Sequence, residues 1–467
     1  MDTGGKKTAL AVHQEVAREV EKLLQIVFVA QHKQTGLDLE AIEMATRSSL
    51  HQVGTGVLTM LLATAASPAA KQPCDCGHSA DYHGQRPKQL FTVLGPVTFQ
   101  RAYYLCRHCH QGQSPRDKQL DVVGTQWSPG VRRMMAMVGS ECSFEQSREQ
   151  LALLAGLDVA AKAVERQAEA IGVDMERRDQ EQIHRAKQLD LPEVCSPAVP
   201  VLYIEMDGTG VPMIKQEVAD RSGKHGGQAH TREAKLGCVF TQTTADDKGR
   251  PVRDEQSTTY VGAIETAEQF GLRIYTEAWK RGWSRAQTKV ILGDGAVWIW
   301  NLADEHFPSA IQIVDLYHAR EHIHDLAKAL WANDERTRKR WSARMLRLLD
   351  QGKIESLVKA FGQIRPATPE IAKTLATETE YFERNKKRMR YPEFRARHLF
   401  VGSGVIEAGC KTVVAARLKR SGMFWTVAGP TPSSRSAVPV SAAASKTIGR
   451  TDARPDFHTL VARPAQK

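Results

Sequence analysis

Two aspartates in the middle of the chain follow apolar, strand-like runs, and a glycine follows each of them. Asp207 comes after the run at residues 201–204, and Asp294 comes after the run at residues 290–292. Ligands of an open α/β sheet bind beyond the carboxyl ends of its strands, so we expect the two side chains to reach one point. Converging carboxylates bind Mg²⁺, and two such ions can promote phosphodiester transfer by activating the attacking oxygen and stabilising the leaving one. The alternative is that both residues belong to ordinary Asp-Gly turns.

A third carboxylate, Glu407, lies in the small and apolar segment at residues 402–411. The Gly-Ser-Gly that opens this segment suits a bend in which Ser403 caps the N-terminus of a helix. Apolar and small residues surround Glu407, which is unusual for a solvated helix face. We therefore expect Glu407 to join the two aspartates at a catalytic Mg²⁺ or Mn²⁺ site. The alternative is a surface pair with Lys411, four residues further on.

An aspartate and a histidine follow a further apolar run at residues 311–314. Asp315 comes directly after this run, and His318 lies three residues later. Judged from the residues alone, His318 is either a buried histidine whose tautomer is fixed by its neighbours or a group near the metal site.

Four of the eight cysteines form two close pairs, and a β-like run with a Gly-Pro turn at residues 95–96 separates the pairs. The paired residues are Cys74, Cys76, Cys106 and Cys109. Zinc binds four such ligands in a tetrahedron, so this spacing predicts a closed, structural zinc site without a catalytic role. The tight spacing of the first pair leaves open that His78 or His110 replaces a thiolate. Four unrelated buried cysteines are the remaining alternative.

Composition and apolar periodicity predict how the chain positions these groups. Hairpin-like strands followed by strands that alternate with helices predict an α/β fold with a mixed sheet. The predicted segments are an N-terminal helical region at 1–66, a zinc-ribbon-like module at 70–120, a helical DNA-binding region at 127–190, a catalytic domain at 198–427 with a helical insertion at about 325–395, and a disordered tail at 428–467.

The charge of the chain favours a polyanionic partner. It has 64 basic and 53 acidic residues and a net charge of +11, and basic side chains that neutralise phosphates release counterions. Residues 381–420 hold 11 Lys and Arg against three acidic residues, around Glu407. The predicted DNA-binding residues are Lys386, Lys387, Arg388, Arg390, Lys411, Arg417, Lys419 and Arg420. The alternative is a solvated helix face.

The remaining composition predicts a cytoplasmic protein. No apolar run approaches the ~18–20 residues that a membrane span needs. The other four cysteines are scattered, which is typical of a reducing compartment.

Several segments resemble insertion-sequence transposases of the ISKra type. These are GDGA at 293–296, WIWN at 298–301, DLYHAREH at 315–322 and GSGVIEAGCK at 402–411, together with the cysteine-flanked segment that includes RAYY at 101–104. The resemblance runs from about residue 70 to 427. It implies a metal-dependent DNA transposase that cleaves and transfers strands at insertion-sequence ends and works as a homo-oligomer on double-stranded DNA, both terminal inverted repeats and target.

The resemblance also assigns roles to individual residues. It implies an RNase H-like core of the DDE class, in which Asp207 and Asp294 are the catalytic aspartates and Glu407 is the glutamate. Asp315 and His318 match the aspartate–histidine signature of Mutator-like transposases, which puts His318 near the active site. Two alternatives stay open: an RNase H-like nuclease, and an impaired transposase remnant that acts as a DNA-binding protein.

The resemblance stops at residue 427, and the tail is rich in Ala, Pro, Ser and Arg without periodicity, which predicts disorder. Related proteins continue instead with an apolar helical segment and an aromatic-acidic ending. Residues 431–437 and 441–450 both admit codons that restore such an ending when they are read in one shifted phase. We therefore hypothesise that a frameshift near codon 428 replaced the native C-terminus and impairs the enzyme.

Overall fold

A computed structural model describes residues 38–63, 68–190, 198–223, 227–420 and 424–425, and scattered helical positions between residues 10 and 25. The described residues divide into two compact units, one up to Gln167 and one from Ala168. Within these ranges no helix has the length and apolarity needed to cross a membrane. The predicted tail at 428–467 lies outside the described residues.

The first unit contains a four-stranded antiparallel sheet in the order β1-β2-β3-β4. Its strands are β1 Lys71–Pro73, β2 Ser79–Thr92, β3 Gly95–Cys106 and β4 Gly112–Gln113. Strands β2 and β3 pair up to their turn, where Thr92 lies opposite Gly95. Gly95 has a φ of 126°, which glycine adopts far more readily than other residues. The turn predicted from Gly-Pro is confirmed.

Helices precede and follow these strands along the chain. They are α1 Leu39–Ala63, α2 Pro115–Gln119, α3 Pro129–Glu141, α4 Phe144–Ala155 and α5 Ala161–Lys187. Ser128 caps the N-terminus of α3, because its hydroxyl accepts a hydrogen bond from the Val131 amide. Helices α3 and α4 bury one apolar cluster, which includes Met135 and Leu151.

The second unit is built on a five-stranded mixed sheet in the order β11-β10-β5-β6-β9. Its strands are β5 Val201–Pro212, β6 Thr231–Gln242, β9 Thr259–Ala263, β10 Thr288–Gly293 and β11 Ile311–Val314, and a separate pair consists of β7 Thr244–Ala245 and β8 Pro251–Val252. Strands β5, β6 and β9 are antiparallel, whereas β10 and β11 run parallel to β5. The mixed α/β sheet predicted from the sequence is confirmed.

Helices follow the strands of this unit and form a long helical stretch after β11. They are α6 Ala267–Lys280, α7 Val297–His306, α8 Leu316–Leu330, α9 Glu335–Asp350, α10 Ile354–Gly362, α11 Pro369–Asn385, α12 Tyr391–Ala396, α13 Gly404–Gly409, a π-helix at Cys410–Ala415 and α14 Ala416–Leu418. Short 3-10 turns lie at Lys215–Val218, Trp283–Arg285 and Lys386–Arg388.

The centre of the sheet is apolar because its parallel strands are covered on both faces. Ile204 in β5 and Ile291 in β10 are Cα partners, and both side chains are fully buried. Parallel strands that are buried on both faces carry near-continuous apolar runs, which is why the sequence signal was strong here.

One charged cluster is also buried in this unit. Arg273 on α6 is only 4% exposed, and its guanidinium contacts Glu265 at 2.8 Å, Glu176 at 3.0 Å and Asp179 at 3.2 Å. A buried guanidinium is tolerated only when carboxylates compensate its charge and satisfy its donors. The cluster therefore joins α6 to the part of α5 that lies in the second unit.

We expect Arg273→Ala to lower the free energy of unfolding by about 3–5 kcal/mol, because it leaves buried carboxylates without a counter-charge. The measurement is urea unfolding of the full chain. Lys280→Ala on the same helix is the matched control, since the Lys280–Glu277 pair is longer, at 3.6 Å, and the lysine is 38% exposed. Equal losses for the two variants would contradict the role assigned to Arg273.

Candidate functional site

Three adjacent parallel strands each bring an aspartate to the same level of the sheet. One aspartate follows the last residue of β10 and one follows that of β11, whereas the third lies within β5, which continues to Pro212. The expectation that the first strand ends at Asp207 is therefore wrong. Met206 in β5 is the Cα partner of Gly293 in β10, which in turn pairs with Val314 in β11. The next residues along the chain are Asp207, Asp294 and Asp315. The register of the sheet therefore brings the three predicted aspartates side by side.

Asp207 is half-buried and already engaged by neighbouring groups. Its Oδ1 accepts a hydrogen bond from the Gly208 amide at 2.7 Å, and its Oδ2 accepts one from the Cys410 thiol at 3.3 Å. Burial raises the pKa of Asp207, the hydrogen bonds lower it, and the negative charge of Asp294 raises it further. Asp207 and Asp294 thus lie close enough for their charges to interact.

Asp294 lies in a tight loop that a tyrosine from the helical stretch covers. Its Oδ1 accepts a hydrogen bond from the Ala296 amide at 2.8 Å, and its backbone carbonyl accepts one from the Tyr381 hydroxyl at 2.9 Å. A Cβ on Gly295 would lie 2.5 Å from the Tyr381 ring, so this close approach requires glycine. The Asp294 loop is therefore fixed by a residue of α11, 87 positions away in sequence.

Glu205 is a buried carboxyl group that the sequence analysis did not identify. It is fully buried on β5, and its Oε2 accepts a hydrogen bond from the Ile406 amide at 2.8 Å. Burial raises the pKa of Glu205 to about 8, and the charges of Asp315 and Glu407 add to this increase. Glu205 lies two residues before Asp207, hence on the same face of the strand. It anchors the N-terminal turn of the helix that carries Glu407.

Glu407 itself is exposed on α13. The Cys410 thiol on the adjoining π-helix bonds to Asp207, so this helical segment packs at the aspartate edge of the sheet. Within the described residues, however, no three carboxylates have ligand atoms within 4.8 Å of one another. The structure brings the element that carries Glu407 to the aspartates without closing the three carboxylates into a tight cluster.

Asp315 connects two loops of the site. Its Oδ1 accepts hydrogen bonds from the amides of Tyr317 and His318, at 2.5 and 2.8 Å, and so caps α8. Its Oδ2 accepts hydrogen bonds from the amide and the hydroxyl of Ser403. The expectation that the Ser403 hydroxyl caps the Glu407 helix is wrong. Ser403 occupies the N-cap position, but its hydroxyl binds the buried Asp315 carboxylate instead.

His318 lies on the first turn of α8 with its side chain 39% exposed, so it is not a core histidine. Its positive charge lowers the pKa of Asp207, and its Nδ1 lies 3.5 Å from Glu321. The ring of His322 contacts His318 edge-on and stacks on Tyr381, with centroids 3.9 Å apart. A row of rings therefore connects His318 to the tyrosine that covers the Asp294 loop.

The eight predicted DNA-binding residues differ in their exposure. Lys387, Lys411 and Lys419 are exposed, and Lys386 and Arg420 are half-buried. Arg388 packs over the Trp300 ring at 4.6 Å, and Arg390 is ion-paired with Glu355.

Arg417 is a correction to the predicted set. Its side chain is 5% exposed, and its guanidinium lies over the Trp425 ring at 5.0 Å. It packs inside the second unit, because a long side chain on this short helix can cover an apolar ring with its own cation. A buried guanidinium of this kind does not face DNA.

The four paired cysteines meet at one end of the β2–β3 hairpin. Their ligand atoms all lie within 4.8 Å of one another and could hold a metal such as zinc. Sγ–Sγ distances of 3.6 Å separate Cys74 from Cys109 and Cys76 from Cys106. Zn–S bonds of about 2.3 Å put the sulfurs of a tetrahedral site about 3.8 Å apart. The geometry therefore fits a single ion with four thiolates and needs neither His78 nor His110 as a substitute ligand.

Comparisons with known proteins give two findings. Residues 33–228 match a family described as "Uncharacterised protein family (UPF0236)". Among solved structures, one match is "Drosophila P element transposase strand transfer complex", at 8% identity and a TM-score of 0.26, covering 72% of this chain and 82% of that chain. A likeness of this size carries no argument about the present chain. A comparison with curated proteins found no match.

We expect Glu205→Ala to lower the free energy of unfolding by about 1–3 kcal/mol, because the buried Ile406 amide loses its acceptor. Glu205→Gln retains a carbonyl oxygen at the same place and should restore most of this loss. Thermal unfolding of both variants is the measurement. If the glutamine variant is as unstable as the alanine variant, the hydrogen bond to Ile406 does not hold the helix.

We expect purified protein to contain one tightly bound zinc ion, which Cys106→Ser combined with Cys109→Ser releases. The zinc content of the protein is measured by elemental analysis after gel filtration. The matched control is Cys142→Ser, since Cys142 lies outside the cluster. Zinc that persists in the double variant would exclude this site.

Proposed function

We propose that the protein is a DNA transposase of the DDE class, which cleaves DNA strands and transfers them with divalent metal ions held by Asp207, Asp294 and Glu407. The observation that carries the proposal is the register of β5 and β10, which pairs Met206 with Gly293 and so brings the residues that follow them, Asp207 and Asp294, next to each other. The mixed five-stranded sheet, three strands antiparallel and two parallel, supports an RNase H-like core.

The residues at this edge fit Mg²⁺ or Mn²⁺. Both ions prefer hard oxygen ligands, and this part of the sheet offers one carboxylate from within β5, one from the loop after β10 and one from the nearby helix. Within the described residues, one oxygen of Asp294 accepts a backbone hydrogen bond, and the thiol that bonds to Asp207 is a weak donor that a cation can displace. Burial is the main cause of the raised pKa of Asp207, and the negative charge of Asp294 adds to the increase. A bound cation would offset both effects.

When bound, two divalent ions supply Lewis-acid activation of the attacking oxygen and stabilise the leaving oxygen. The chain's own residues act by positioning. Glu205 holds the Glu407 helical segment against β5, and Tyr381 fixes the Asp294 loop. Cleavage is then hydrolysis of a phosphodiester to a 3′-hydroxyl and a 5′-phosphate. In strand transfer that hydroxyl attacks a target phosphodiester, so one bond forms for each bond broken.

We assign Asp315 and His318 to the surroundings of this site rather than to its metal ligands. Both oxygens of Asp315 are occupied by hydrogen bonds that join α8 to the segment before Glu407. His318 is partly exposed beside Asp207, where an imidazolium can contact a phosphate.

DNA is the proposed partner, and the basic residues around Glu407 support it. Lys411 and Lys419 are exposed on the helical segment that follows Glu407, and Lys419 donates a hydrogen bond to Thr209, two residues after Asp207. The ammonium groups of these lysines can hold a phosphate backbone beside the carboxylates. As parts of the same proposal, the helices at 127–190 bind DNA and the chain assembles as a homo-oligomer on it.

We expect Asp207→Asn, Asp294→Asn and Glu407→Gln each to reduce strand cleavage by at least about 100-fold, since a lost metal ligand removes several kcal/mol of charge stabilisation. DNA binding should persist. The assay uses the full chain, duplexes that span the sequences flanking its gene, and Mg²⁺ or Mn²⁺, with cleaved and joined strands resolved on denaturing gels.

The controls are Asp325→Asn and Glu380→Gln, two exposed carboxylates of the helical stretch that should retain full activity. Cleavage without joined products in the unaltered chain would favour the nuclease. Binding without cleavage would favour the DNA-binding remnant. Near-normal cleavage by any site variant would remove that residue from the metal site.

A further inference from the structure

A second group of metal-binding side chains adjoins the four cysteines and shares one of them. Cys76, His78 and His108 have ligand atoms that all lie within 4.8 Å of one another. The described residues contain two such groups of possible metal ligands, and Cys76 belongs to both. The carboxylates of Asp207, Asp294 and Glu407 belong to neither group.

The two histidines are arranged side by side. The rings of His78 and His108 stack with centroids 3.7 Å apart and planes at 10°, and the His78 Nδ1 lies 3.6 Å from the Cys76 Sγ. Two imidazole rings stacked at this distance can each direct one ring nitrogen toward the same cation. All three residues are exposed, so a cation can reach them from solvent.

The histidines are additional to the four-thiol site. Four thiolates complete the tetrahedron of a zinc ion, and a fifth protein ligand has no place in such a closed site. A thiolate retains lone pairs after it binds one ion, so the Cys76 sulfur can bind a second ion on its exposed side.

We propose that the β2–β3 hairpin binds two zinc-class ions bridged by the Cys76 thiolate, the second of them held by Cys76, His78 and His108. Thiolate and imidazole donors select a borderline-soft divalent cation such as Zn²⁺ rather than Mg²⁺. Three protein ligands leave one coordination position open to water or to an external ligand. The second ion is the more exposed of the two, so it exchanges faster and leaves first when a chelator is added.

The test counts bound zinc in the full-length protein by equilibrium dialysis against increasing free Zn²⁺, followed by elemental analysis. With excess Mg²⁺ present to occupy the carboxylate site, we expect the unaltered chain to bind two zinc ions per chain and to retain one after brief exposure to a weak chelator. His78→Ala combined with His108→Ala should bind one ion, with the four-thiol site intact. The matched control is His83→Ala, an exposed histidine on β2 that belongs to neither group and should leave the count at two.

Co²⁺ substitution identifies the ligands through visible absorption. A second Co²⁺ equivalent should add bands of a site with one thiolate and two imidazoles, and these bands should be missing in the double histidine variant. Saturation of the unaltered chain at one ion would overturn the proposal, because the histidines would then only surround a single four-thiol ion. A count of two that survives the loss of both histidines would overturn it as well.

Discussion

The parallel pairing of β5 with β10 is the interaction on which the candidate active site depends. Apolar residues covered on both faces fix this register, since a slip of one residue would exchange the two faces of the strand. In the native register Met206 lies opposite Gly293, and the two following aspartates are neighbours. Two like charges at one edge cost free energy unless a cation lies between them. The register of the sheet thus sets the positions of the two aspartates, and the repulsion between their charges favours a cation at the proposed metal site.

The remaining parts of the site are tied to the sheet by three polar contacts from later in the chain, two of them buried and one partly buried. Ile406 donates to Glu205, Ser403 donates to Asp315, and Tyr381 donates to the Asp294 carbonyl. Each contact joins a loop or helix to a strand end, and each would leave a buried polar group unpaired if its partner moved. The helical stretch after β11 therefore contributes to the site by holding the loops that carry the carboxylates.

The sequence could predict features that depend on local pattern. Apolar runs that end in Asp-Gly predicted the strands and their adjacent aspartates, and Gly-Pro predicted the hairpin turn. Features that depend on distant partners could not be predicted. Glu205 is buried because its carboxyl group meets an amide 201 positions away, and the Ser403 hydroxyl finds an acceptor 88 positions away instead of capping its own helix. Period-two alternation was the available signal for Glu205, since it shares a face with Asp207.

The most direct test of the metal site is iron-mediated cleavage of the polypeptide. Fe²⁺ replaces Mg²⁺ at oxygen-ligand sites, and with ascorbate and peroxide it cuts the backbone close to the bound ion. Mass spectrometry of the fragments locates the cuts. We expect cuts beside Asp207, Asp294 and Glu407 that excess Mg²⁺ suppresses together. Cuts that spare these three positions, or that Mg²⁺ does not suppress, would contradict it.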